Sequence, residues 1–168
     1  MKLHSIALAA TLALGSLLVT VQAADSLNIT LELPKPAHGP YHRPYVAVWI
    51  EDAKEQPVKL IELWREKPDW IKDLRRFWRK TGRSDQALVD ARTGATKGPG
   101  KYQLNWNGDD NAGKAVAAGQ YLLVVEAARE HGGRNLVKQA FNWDGSAVEI
   151  QVKAGSEIGA ITLSKGAK

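Results

Sequence analysis

From residue 27 onward, apolar and polar positions mostly alternate in short runs. LNITLEL (27 to 33) places Leu27, Ile29, Leu31 and Leu33 on one side. YVAVWIE (45 to 51) puts Val46, Val48 and Ile50 on one face and Tyr45, Ala47 and Trp49 on the other. VKLIELW, KYQLNW, QYLLVVEAAR, LVKQAFNW, AVEIQV and IGAITLS follow in order. Period-two runs of this length, separated by turn residues, predict antiparallel strands and an all-β sandwich. One segment has a different period. PDWIKDLRRFWRK (68 to 80) sets Trp70, Ile71, Leu74, Phe77 and Trp78 on a helical stripe, with Pro68 and Asp69 at its start and Gly82 as a stop. It predicts one short amphipathic helix over 69 to 80, inserted between strands. Its cations, Lys72, Arg75, Arg76, Arg79, Lys80 and Arg83, fit a solvated face or a docking patch for an acidic surface.

The first 24 residues follow another logic. Lys2 precedes the uncharged run SIALAATLALGSLLVTV, and small residues close it at Ala23. This is the pattern of a cleaved export signal. No twin arginine precedes the run, and no cysteine follows it to carry a lipid. The expectation is a signal peptide over 1–24 and one sandwich domain over 25–168. The chain has no cysteine, so outside the cytoplasm its core must hold without disulfides. Its net charge of +5 includes Lys2, the single charge of the leader. The remainder is mildly basic with mixed signs, and no nucleic-acid-binding motif occurs, which points away from nucleic acid as a partner.

NWNGDDNAGKAVAAGQY (105 to 121) is a turn leading into a strand. Its order of Trp106, Gly108, Asp110, Gly113, Ala118, Gly119 and Tyr121 resembles a hairpin of the immunoglobulin-like domain in flagellar hook cap proteins. Asp109, Asp110 and Asn111 carry oxygens suited to calcium, but no distal glutamate completes a loop of that kind, and a tight turn is the simpler reading. The blocks PYVAVWIED, LWREKPDWIKDLRRFW, VDARTGATKGPGKYQLNWNGDDNAG and AAGQYLLVVEAAREHGG resemble, over most of the chain, the predicted periplasmic bacterial proteins of domain-of-unknown-function family 2271. That resemblance implies an immunoglobulin-like antiparallel β-sandwich in the periplasm. It also implies association with systems that contain PepSY-type membrane proteins, flavin transferases and iron-linked proteins.

DARTGAT (90 to 96) is the chemically suggestive stretch, read here as part of a glycine-framed loop. It resembles the target sites of bacterial flavin transferases, an acid followed by Ser/Thr-Gly-Ala-Ser/Thr, through Asp90, Thr93, Gly94, Ala95 and Thr96. A further hydroxyl residue often stands two places after the acceptor in such targets; this chain has Gly98 there. The resemblance implies flavin mononucleotide (FMN) joined through a phosphoester to Thr96 by a separate transferase with its own metal. A plain turn at Thr93-Gly94 leading into the next strand is the alternative. Six tryptophans offer platforms for a flavin ring, and Trp106 is nearest in sequence. His38 and His42, in HGPYH, are a candidate metal pair that Gly39-Pro40 keeps off a regular helix. No nucleophile elbow or zinc-protease helix occurs. An exported electron carrier, or a cofactor-free binding or assembly module, therefore fits better than a stand-alone enzyme. The leader makes a direct prediction: N-terminal sequencing of protein recovered from the periplasm should begin at Ala24 or Asp25.

Overall fold

The computed structural model describes residues 25–37, 41–153 and 155–167. The expected signal peptide over 1–24 and His38 lie outside the described residues. Among the described residues, nine strands form two sheets. The first has the order β5-β1-β9-β8, with β1 Leu27–Leu33, β5 Gly100–Trp106, β8 Val148–Lys153 and β9 Ala160–Lys165. The second has the order β4-β3-β2-β6-β7, with β2 Tyr45–Asp52, β3 Pro57–Trp64, β4 Thr93–Gly94, β6 Gly119–Ala128 and β7 Arg134–Trp143. Every pairing is antiparallel except the short β3–β4 contact. The chain is an all-β sandwich, and all eight strands expected from alternation are present.

The inner faces meet as the pleat requires. Leu27, Ile29, Leu31 and Leu33 from β1 pack with Val46, Val48 and Ile50 from β2, and with Leu123, Val125 and Ala127 from β6. The turn after β5 closes one end of this core. Gly108, at φ +78°, lies under Trp143, where a Cβ would come within 2.3 Å of the indole ring. Glycine is required there both by conformation and by space.

The inner strands of the second sheet, β3, β2 and β6, are buried on both faces. Tyr45, Ala47 and Trp49 of β2 and Val124 and Ala128 of β6 form a second core with Leu60, Leu63, Ile71, Leu74, Phe77 and Val89. The covering layer departs from the expected regular helix. It runs as a 3-10 turn Pro68–Asp73, one α-turn Arg75–Phe77 and a π-turn Trp78–Gly82. Leu74 breaks the continuity, at φ −77° and ψ 72°. The break exposes fresh backbone donors, and a carboxylate from the sheet takes them. Arg76 N–H donates to Glu126 Oε1 at 3.1 Å, and Phe77 N–H to Oε2 at 2.8 Å. A second helix, Gln86–Arg92, was not expected from the sequence. Asp85 caps it by accepting from Leu88 N–H at 2.9 Å.

Glu126 is fully buried and also receives the Arg134 guanidinium, with Nε 2.7 Å from Oε1. Glu51, equally buried, accepts from Trp49 Nε1 and from Arg76. Of the expected basic face, Arg76 is therefore tied down, and Lys80 donates to the Glu55 carbonyl. Lys72, Arg75, Arg79 and Arg83 remain exposed. Removing a buried carboxylate orphans every donor it serves. Glu126→Ala should lower unfolding stability by about 3 kcal/mol in urea titration, with Glu126→Gln costing less.

Candidate functional site

The DARTGAT segment is more ordered than a loop. Asp90 stands in the last turns of helix Gln86–Arg92, and Thr93-Gly94 is strand β4, paired in parallel with Leu63 and Trp64 at the edge of the second sheet. Thr93 ends the helix by donating its hydroxyl to the Val89 carbonyl at 2.6 Å. Arg65 holds the segment at two points. Its backbone N–H donates to the Gly94 carbonyl at 2.9 Å, and its guanidinium donates to Asp90 Oδ1 at 3.1 Å. Gln86 donates to the same carboxylate oxygen at 2.7 Å. Ala95 to Pro99 then cross to β5 outside any strand.

Thr96 is 8% exposed, while Asp90 and Ala95 face solvent. The Thr96 carbonyl accepts a long hydrogen bond, 3.4 Å, from Arg43 Nη1. Lys97 lies with its ammonium 4.6 Å from the Trp64 ring centroid and 5.1 Å from that of Tyr102. The two rings meet edge-on, 5.2 Å apart, and the Tyr102 hydroxyl donates to the Gly98 carbonyl at 2.7 Å. The segment therefore rests on an aromatic pair with a cation drawn over it.

Trp106 lies at the far end of β5. That strand begins at Gly100, beside the segment, and ends at Trp106, so roughly 20 Å of extended chain separates them. Trp106 is buried against Tyr121, Phe141 and Trp143 and donates to the Asp109 carbonyl at 2.8 Å. The tryptophan beside the segment is Trp64. Alternation along the sequence cannot reveal this, because β4 reaches Trp64 across an edge pairing.

Asp109, Asp110 and Asn111 build a turn. The Lys59 ammonium takes Asp109 Oδ2 and the Asp110 carbonyl, each at 2.9 Å, so a protein cation already occupies the acidic corner. Asp110 Oδ1 accepts from the N–H groups of Ala112 and Lys114, and Asn111 Oδ1 from that of Leu60. His42 meets a histidine that is distant in sequence. Its ring centroid lies 5.6 Å from that of His131, and Glu130 stands 3.6 Å from His42 Nδ1 and 3.8 Å from His131 Nε2. No group of three or more His, Cys, Asp or Glu with metal-holding geometry occurs among the described residues.

The chain belongs to a protein family. Residues 26–160 match the family model described as predicted periplasmic protein (DUF2271). That description supports a periplasmic location and says nothing of chemistry. Neither the curated proteins nor the solved structures contain a match.

A buried ion pair holds the turn between β6 and β7. Glu157, 3% exposed, accepts from Arg129 Nε at 2.7 Å and from Gly133 N–H at 2.8 Å. Burial pushes the Glu157 carboxyl up, but the Arg129 and Gly133 hydrogen bonds outweigh it and hold the pKa below its ordinary 4.5. A carboxyl lowered in the folded state stabilises the fold above its unfolded pKa, and loses that contribution as pH falls through the folded value. Thermal unfolding between pH 6 and 2 should therefore show a steeper acid loss in wild type than in Glu157→Gln.

Proposed function

We propose that this chain is an exported periplasmic electron carrier, with FMN joined to Thr96 by a phosphoester. The observation that carries the reading is a complete acceptor pattern, from Asp90 to Thr96, held at a sheet edge with glycine where packing does not demand it. A Cβ at Gly94 would meet Trp64 Cδ1 at 3.7 Å, an ordinary contact, and one at Gly98 would meet nothing within 4 Å. Neither residue has a positive φ. Slender backbone at these positions suits entry into another enzyme's active site.

The attachment is a group transfer without redox change. The Thr96 hydroxyl oxygen forms a bond to the FMN phosphorus of flavin adenine dinucleotide. The pyrophosphate P–O bond breaks, adenosine monophosphate leaves, and the hydroxyl proton passes to a base of the transferase, whose metal offsets the charge. A flavin transferase is therefore the first partner, and a PepSY-type membrane protein is the proposed electron partner. Because Thr96 is 8% exposed, the transferase must take the segment in an opened form. Opening affects Ala95 to Pro99, which belong to no strand, and leaves both sheets intact.

The burial of Thr96 favours a second reading, a cofactor-free binding or assembly module of a membrane redox or iron-linked system. Intact mass decides between the two. Protein exported beside an active flavin transferase should gain one FMN, and Thr96→Ala should gain none. Thr93→Ala should keep the addition, because its hydroxyl serves the Val89 carbonyl. Gly94→Ala should fold normally yet be modified less. An unmodified wild-type mass would place the cofactor-free module first.

A further inference from the structure

The layer that covers the second sheet, residues 68–82 with Arg83 as its C-cap, holds most of the chain's positive excess. It contains six lysines and arginines and two acids, Asp69 and Asp73, whereas the rest of the chain holds seventeen cations against sixteen acids. Two of the six cations are used within the fold. The Arg76 guanidinium donates to Glu51 and Glu55, and the Lys80 ammonium to the Glu55 carbonyl. The other four, Lys72, Arg75, Arg79 and Arg83, are exposed, and none belongs to an ion pair among the described residues.

These four face outward. Ile71, Leu74 and Phe77 of the same layer pack into the outer core against the sheet, so the side that carries the exposed cations is turned away from it. Both acids belong to the 3-10 turn, and no acid interrupts residues 75 to 83. Asp85, the next acid, is occupied as the cap of helix Gln86–Arg92. Arg75, Arg79 and Arg83 stand four residues apart, where like charges on a helical surface repel. The fold therefore gains no stability from the charge of this row.

The chemistry of the row favours one kind of partner. Trp70 and Trp78 are partly buried against the outer core. The large hydrophobic residues that stand exposed among the described residues are Tyr41 and Leu136, and neither belongs to the layer. The row therefore lacks the protruding aromatic or aliphatic anchor that centres most protein–protein interfaces. Cations on long stems without an apolar centre suit a plane of phosphate groups instead. A periplasmic location, which the family description supports, puts membrane surfaces within reach.

We propose that Lys72, Arg75, Arg79 and Arg83 dock the protein onto a membrane surface that carries anionic phospholipids. The inference is independent of whether Thr96 carries FMN. Lipid phosphates accept from the ammonium and from the guanidinium forks, and the negative surface potential draws the whole row down. Nothing apolar inserts, so attachment is peripheral and reversed by salt. The docked protein lies with its second sheet toward the membrane and its first sheet toward solvent.

The test is cosedimentation of protein recovered from the periplasm with vesicles of phosphatidylethanolamine and phosphatidylglycerol, and with vesicles of phosphatidylcholine alone. Wild type should sediment with the first at low ionic strength, come off in high salt, and ignore the second. Each cation near such a surface is worth about fivefold in partitioning. Arg79→Gln should therefore weaken binding about fivefold. Changing all four cations to Gln should abolish it. A control with Lys35, Lys101, Lys114 and Lys153 changed to Gln removes the same charge from exposed sites outside the layer and should bind nearly as wild type does. The substituted side chains are all exposed, and unchanged circular dichroism and urea midpoints confirm that folding is intact. The proposal is overturned if wild type leaves the anionic vesicles unbound, if the four-site layer variant binds as wild type does, or if the control loses as much. Retention on immobilised poly-glutamate without vesicle binding would also overturn it, and would make the partner an acidic protein.

Discussion

Glu126 sits on the outward face of β6, where a sandwich usually presents polar residues to water, yet it is fully buried. Its carboxylate receives the N–H groups of Arg76 and Phe77 and the Arg134 guanidinium. The helical layer thus begins its second turn on a charge supplied by the sheet, fifty residues away in sequence. Glu51 fixes the side chain of the same Arg76. Leu74 and Phe77 are thereby aimed into the outer core against Trp49, with Phe77 5.8 Å from the indole ring centroid. Buried ion pairs often add little net stability, because desolvation offsets attraction. What this one supplies is placement: a wrongly docked layer would leave two buried carboxylates short of the donors that Arg76 and Phe77 provide.

The placement propagates along the chain. The π-turn ends at Gly82, Asp85 caps the next helix, and Thr93 closes that helix through Val89. Val89 is the helix's buried contact with the outer core. From there the backbone has one short route to the sheet edge, where Gly94 meets Trp64 and Arg65. The presentation of Asp90 through Thr96 therefore depends on carboxylates that take no part in the site itself.

This dependence explains what the sequence could and could not convey. Alternation made eight strands legible because each has a face that must be apolar, and β1 falls on the very residues that alternate. The apolar residues on both faces of β2, read only as alternation, are what cover on both sides requires. The helical stripe was read correctly at Ile71, Leu74 and Phe77, which are buried. Its regularity was not, because the Leu74 break is stabilised by Glu126, a contact that no local pattern encodes. Helix Gln86–Arg92 escaped notice for another reason: it is under two turns long and buries one residue, too little for a period to show. The same limit applies to function. Trp106 was favoured by nearness along the chain, whereas the aromatic rings against Lys97, the residue after Thr96, come from β3 and β5.

The burial of Thr96 bears on when a transferase could act. If the chain crosses the membrane unfolded, it meets the periplasm before its sandwich closes. In that interval Thr96 is as accessible as any residue. After closure, only Ala95 to Pro99 need detach, since Arg65 anchors Gly94 on one side and β5 begins at Gly100 on the other. The contacts to release are the Arg43 hydrogen bond, the Tyr102–Gly98 hydrogen bond and the Lys97 ring stack. Each is worth about 1 kcal/mol, so opening costs a few kcal/mol, well below global unfolding. A segment that is clamped at its ends and loosely held at its centre can be ordered in the resting protein and still be available to an enzyme.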